Sequence, residues 1–180
     1  MQVRRVVTGL DAAGKAVIVS DGSAPRRHDL VHVPGMGTAI LWATGPGACV
    51  RGDAPDPTGH IASQIPLPGG TCFVLVRFPP DSVFRDPGFD AAAADAEQRV
   101  ASPGIPELME PGNPGMHATD TVDYCVILSG EVWLELDDGA LTHLRAGDTV
   151  VQNGTRHVWR NLSGEPVTMA VVQVGAQRSR

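Results

Sequence analysis

The sequence predicts an all-β protein, an antiparallel barrel or jelly roll, and three observations carry that expectation. Gly and Pro number 21 and 15 among 180 residues, which favours turns and short strands over helices. Beyond residue 120, six short apolar or alternating segments follow one another with turn residues between them, the spacing of a closed or sandwiched β structure. Only one stretch, Asp90 to Val100, has the composition of a helix.

Taken in order, Val3, Val6 and Val7 and then Ala16 to Val19 flank the loop DAAGK, so residues 3–19 read as a hairpin. Residues 20–35 read as polar and irregular. GTAILWAT (37–44) is a short apolar strand expected to be covered on both faces. The segment from Gly45 to His60 is too rich in Pro and Gly for regular structure, and its Arg51-Gly52-Asp53 triplet is read as chance. TCFVLVRF (71–78) is the strongest strand of the first half and ends at Pro79-Pro80. The helix from Asp90 has a good N-cap, an Ala run and a Ser102-Pro103-Gly104 stop. It is too short to stand alone and must dock on something. Later, YCVILS is apolar on both faces, whereas in VWLEL and the residue before it Val132, Leu134 and Leu136 alternate with Glu131, Trp133 and Glu135. Asp137-Asp138-Gly139 is a tight hairpin turn, and ALTHLR, TVVQ, RHVWRN and VTMAVVQV complete the set. The expected organisation is an N-terminal β arm and irregular segment over 1–70, packed on a barrel over 71–180 with an insertion at 82–116. No internal repeat is visible.

A net charge of −6 argues for solubility and against a nucleic-acid partner, since no basic stripe exists to displace counterions. No apolar run approaches the ~18–20 residues of a membrane span, and the N-terminus lacks the apolar core of a secretory signal. Cys49, Cys72 and Cys125 are odd in number and widely spaced, which suggests neither a disulfide framework nor a thiolate metal knuckle. The expected location is cytoplasmic.

Chemistry concentrates between Met116 and Asn161. His117, Thr119, Thr121 and Asp123 alternate along an extended segment, so their side chains share one face. His157 follows about 40 residues later, near a strand end, where folding back brings it alongside. Two imidazoles and a carboxylate in one cavity are a ligand set for non-haem Fe(II) and related divalent ions.

These residues resemble the two motifs of the cupin superfamily, in its small single-domain form. The first family motif is His-x-His, three or four residues, Glu, six residues, Gly. His117 fills its first His, Thr119 stands at the second, Asp123 stands where Glu is usual, and Gly130 closes it. Gly147, Gly154, His157 and Asn161 match the second motif, with Gln152 in place of its Pro. The resemblance covers residues 105–175. It implies a cupin-type antiparallel jelly-roll barrel holding a divalent metal ion (Fe(II), Zn, Ni or Mn) on His117, Asp123 and His157, Asp123 either ligating directly or bonding to a His ring. Thr119 then leaves an open coordination position or marks a metal-free pocket.

Around these, Tyr124 packs away from the cavity on a regular strand or, turned inward by a bulge, serves as a catalytic acid or donor. Gln152 offers its amide to substrate as a second catalytic candidate, or bonds the local turn. Thr119, Thr121, Trp159 and Asn161 are assigned to the substrate pocket, Asn161 also fixing its loop. Arg156 and Arg160 flank the mouth, either solvated or paired with a substrate carboxylate, and His143 is left on the surface. The insertion is a lid over the barrel mouth or else a surface excursion or dimer contact. The expected function is metal-dependent lyase, isomerase or oxygenase-type chemistry on a small carbonyl- or carboxylate-bearing molecule. The alternative is a non-catalytic barrel that binds a small ligand or serves as a structural dimer without metal. A homodimer is expected in either case, with the N-terminal hairpin as its arm.

Overall fold

The computed structural model describes residues 1–179. Its strands are β1 (Arg4–Leu10), β2 (Ala16–Ser23), β3 (Arg26–Asp29), β4 (Gly37–Thr44), β5 (Thr71–Phe78), β6 (Thr121–Ser129), β7 (Glu131–Glu135), β8 (Leu141–Arg145), β9 (Thr149–Gln152), β10 (Val158–Arg160) and β11 (Val167–Gly175), with one α-helix, α1 (Ala91–Ala101). A six-stranded antiparallel sheet runs β3-β4-β5-β11-β6-β9, a three-stranded one runs β10-β7-β8, and β1-β2 stands as a separate hairpin. The two larger sheets pack face to face as an antiparallel jelly-roll barrel. Ile40, Val74, Ile127, Met169 and Val171 from the first meet Val132, Leu134 and Leu144 from the second in one buried cluster. Period-two alternation built this core, because β11 is buried at every second residue from Val167 to Gly175. No helix among the described residues is long and apolar enough to cross a membrane.

β4 and β5 lie where the apolar runs 37–44 and 71–78 place them. The region before them differs from expectation. Residues 26–29, read as irregular, form β3 and pair with β4, which itself pairs along β5. The six-stranded sheet therefore begins at Arg26, and a barrel boundary at residue 71 cuts through it. A sheet edge asks only for backbone partners, so RRHD carries no apolar signal. Its Arg26 guanidinium donates to the carbonyl oxygens of Thr58 and Ile61, tying the Pro-rich loop to the edge.

α1 is capped as its sequence dictates, the Asp90 carboxylate accepting from the backbone N–H of Ala92 and Ala93 at 3.1 and 3.0 Å. Its docking partner is residues 30–36. Ala94 and Ala101 pack against Leu30 and Val33, and the Glu97 carboxylate accepts from the N–H of Val31 and His32, both at 2.7 Å. The turn from β6 to β7 requires Gly130, whose φ is +75° and where a Cβ would stand 2.7 Å from the Pro166 carbonyl oxygen.

Asn161 locks the β10–β11 connection. Its Nδ2 donates to the carbonyl of Glu165 at 2.8 Å, and its Oδ1 accepts from the Ser163 N–H and hydroxyl at 3.1 and 2.7 Å. Asn161 is 1% exposed, so Asn161→Ala strands buried partners. The expected loss is about 2–3 kcal/mol of unfolding free energy, read from the urea midpoint.

Candidate functional site

The barrel and the 82–116 insertion enclose a cavity of about 860 Å³. His117, Asp123, His157 and Trp159 all line it. From the insertion come Phe84, Phe89, Ile105 and Met109, so this segment forms part of the cavity wall. One ion pair, Arg156 to Glu110, holds its end to the barrel mouth. Arg156 donates to both oxygens of Glu110 at 2.6 and 2.7 Å and to Asp137 at 2.8 Å. Arg160 donates to Glu135 at 2.7 Å. Both guanidinium groups are thus committed to the protein's own carboxylates.

His117 and His157 are brought together by a single antiparallel bridge, in which each backbone N–H donates to the other's carbonyl at 3.0 and 2.9 Å. The rings stand side by side with centroids 4.5 Å apart. His117 Nδ1 lies 2.8 Å from the Gly115 carbonyl oxygen and His157 Nδ1 2.9 Å from that of Thr155. A carbonyl only accepts, so each Nδ1 carries the hydrogen, and a neutral ring keeps its lone pair on Nε2. Burial lowers the pKa of both rings, the carbonyl contacts opposing it, and His157 falls to about 4 with His117 adding to the shift. At neutral pH both rings are therefore uncharged donors in tautomers held by backbone atoms.

Asp123 is 6% exposed, and burial raises its carboxyl to about 6, with Thr121 opposing. Its Oδ1 is buried without a hydrogen-bond partner. It pairs in register with Gln152 on one side and Gln173 on the other. Among the described residues no group of three or more His, Cys, Asp or Glu gathers at metal-binding distance. The expected His117–Asp123–His157 set is thus present in one cavity but is not assembled as one cluster. Two neutral imidazoles with free Nε2 atoms fit a divalent ion in donor type. The carboxylate does not complete that set as it stands.

Other expected site residues lie elsewhere. Tyr124 is 52% exposed on the outer face, in a row with Phe73, Val172 and Val151. No register shift at Tyr124 turns it inward, so strand alternation excludes it from the cavity. Gln152 is buried but outside the lining, its Nε2 donating to the Thr155 carbonyl at 3.0 Å; the turn claims its amide. Thr119 and Thr121 share the inward parity but lie outside the lining, their hydroxyls 2.6 Å apart in a closed pair. Asn161 serves its loop and not the pocket. His143 lies 2.8 Å from Glu131 and stacks on Trp133. Among the lining residues that the sequence does not single out are Gln64 and Gln173. Gln173 left a trace: in VTMAVVQV it takes an inward position after Val167, Met169 and Val171. Gln64 sits in an irregular segment that offers no such pattern.

No family model matches the chain. It is 46% identical over 59 residues to the phomopsin biosynthesis cluster protein C' of Diaporthe leptostromiformis, 33% of this chain and 31% of the relative. It is 39% identical over 49 residues to the cupin-domain-containing oxidoreductase virC of Hypocrea virens, 27% of this chain and 25% of the relative. These matches span under a third of either relative's length. Among solved structures, an RmlC-like cupin from Shewanella frigidimarina is 12% identical, with a TM-score of 0.40 over 84% of this chain and 85% of that one. A putative ethanolamine utilization protein of Salmonella typhimurium is 10% identical, with a TM-score of 0.43 over 98% of this chain and 99% of that one.

Proposed function

We propose that this cupin-type barrel is an enzyme acting on a small organic molecule, with a divalent metal ion held by His117 and His157. The observation that carries the reading is the paired rings, each neutral, each with Nδ1 bound to a carbonyl and Nε2 left for a ligand. When bound, the ion supplies Lewis-acid polarisation of a carbonyl or enolate oxygen. The chain's own residues do the remainder. The carbonyls of Gly115 and Thr155 hold the rings in the ligating tautomer. Phe84, Phe89 and Trp159 contact the apolar body of the substrate, and the insertion excludes water from it. Of the reaction types expected, the oxygenase class agrees with relatives named cupin-domain-containing oxidoreductases.

The lack of a third clustered ligand among the described residues favours a second reading, a barrel that binds its ligand without metal. Elemental analysis of protein purified without chelator separates the two. The enzyme reading expects roughly one iron, manganese, nickel or zinc ion per chain, as a two-imidazole site would hold. No metal under any loading condition would leave only the binding barrel.

A homodimer belongs to the same proposal. Ile18 and Val19 on the hairpin are 63% and 56% exposed, and Tyr124, Leu128 and Val151 on the outer face are also exposed, apolar surface that a second copy would cover. A monomeric mass in sedimentation would contradict it.

A further inference from the structure

Three side chains in the cavity are polar, deeply buried and incompletely bonded. Gln64, Asp123 and Gln173 are 4%, 6% and 3% exposed. In each a side-chain oxygen (Gln64 Oε1, Asp123 Oδ1, Gln173 Oε1) is sealed from solvent with no hydrogen-bond partner. All three residues line the one cavity. They come from separate elements: the loop before β5, strand β6 and strand β11. Asp123 and Gln173 are direct register partners on adjacent strands, so their side chains stand side by side on the inner face.

A buried acceptor without a donor keeps the full cost of having left water, and native chains rarely leave several in one place. Packing does not explain the cluster, because the inward positions around it (Val74, Cys125, Met169 and Val171) are apolar. The chemistry of the orphans is uniform. Each is an oxygen that accepts, so the missing partner is one that donates. The carboxylate narrows the class further, since no Lys, Arg or His lies within salt-bridge range of Asp123 among the described residues. A protonated amine supplies several N–H donors and the absent counter-charge in one group.

We propose that Asp123, Gln173 and Gln64 form the recognition end of the cavity for a primary ammonium head carried on an apolar body, and that Asp123 binds substrate and not the metal ion. The proposal rests on the functional reading above only in taking this cavity as the substrate site. The remaining lining matches an apolar body, with Phe84, Phe89, Met109 and Trp159 placed to contact it.

The test uses three probes that share a body and differ in head: 2-phenylethylamine, 2-phenylethanol and 3-phenylpropionate. Each is titrated calorimetrically into the full chain, as purified and after chelator treatment. The amine is expected to bind roughly tenfold or more tighter than the alcohol, the size of a charge-assisted hydrogen bond, with the carboxylate weaker still. Asp123→Asn and Gln173→Met are each expected to erase most of that preference. Equal affinity for the three heads, preference for the carboxylate, or no binding of the amine overturns the proposal. Metal affinity of Asp123→Asn is the second readout, and the wild-type value is expected. A loss as large as that of His157→Ala would make Asp123 a ligand and overturn the proposal. If the wild-type chain holds no metal, the metal reading falls while the head-group comparison still decides this one.

Discussion

His157→Ala is expected to lower divalent-metal affinity by more than about 100-fold, since removing groups that merely orient a ligand already costs 10–100-fold. His117→Ala is expected to do the same, because the two rings are partners across one bridge with centroids 4.5 Å apart and neither position is duplicated. His143→Ala is the matched control. It removes an imidazole that stacks on Trp133 and pairs with Glu131 on the three-stranded sheet, and it should leave metal affinity unchanged. Titration of chelator-treated protein with Zn²⁺, followed by equilibrium dialysis, reads all three. Equal affinities in the three variants would remove the His pair from any metal role.

The second large effect is on stability and its pH dependence, in metal-free protein. Burial raises the Asp123 carboxyl from 3.8 to about 6. Between these values the folded chain keeps a proton that the unfolded chain releases. Its stabilisation is complete below the unfolded value and is lost as pH rises through the folded one. Roughly 2 units correspond to about 3 kcal/mol. His157 is shifted the other way, from 6.5 to about 4. Its stabilisation is present above the unfolded value and is lost as pH falls through the folded one, by a similar amount. The two slopes oppose each other between pH 4 and 6, so at these groups the wild-type profile is nearly flat there. Asp123→Asn removes one of them. That variant should gain up to about 3 kcal/mol at pH 7.5, and its stability should then fall steeply as pH drops from 6.5 toward 4. Urea midpoints across pH 4–8 measure this. A variant profile parallel to wild type would mean that Asp123 does not titrate in that window.

Apolar runs and alternation placed β4, β5 and the strands from β6 to β11 well, because burial on an inner face is a local, period-two constraint. The capped helix was legible from Asp90 and the Ala run. The edge strand β3 was not, since backbone pairing at a sheet edge leaves no mark on RRHD. In the site, His117 and His157 were legible by spacing, and alternation set the inward parity of Asp123. Tyr124 and Gln152 were assigned roles that depend on where a side chain's neighbours lie. One points to the outer face, and the other is held by Thr155.

By itself, the chain's order of residues determined an all-β container with one short capped helix, and it determined that two imidazoles and an acid face inward. Those outcomes follow from rules acting over a few residues: strand alternation, turn-forming Gly and helix capping. Only the tertiary structure decided that the two rings sit together while the acid stands among glutamines, and that the insertion lines the cavity. Gln64, Asp123 and Gln173 come from segments up to 109 positions apart in the chain. Their shared lack of a donor exists only once distant strands close around one space, where each oxygen has left water and found no partner.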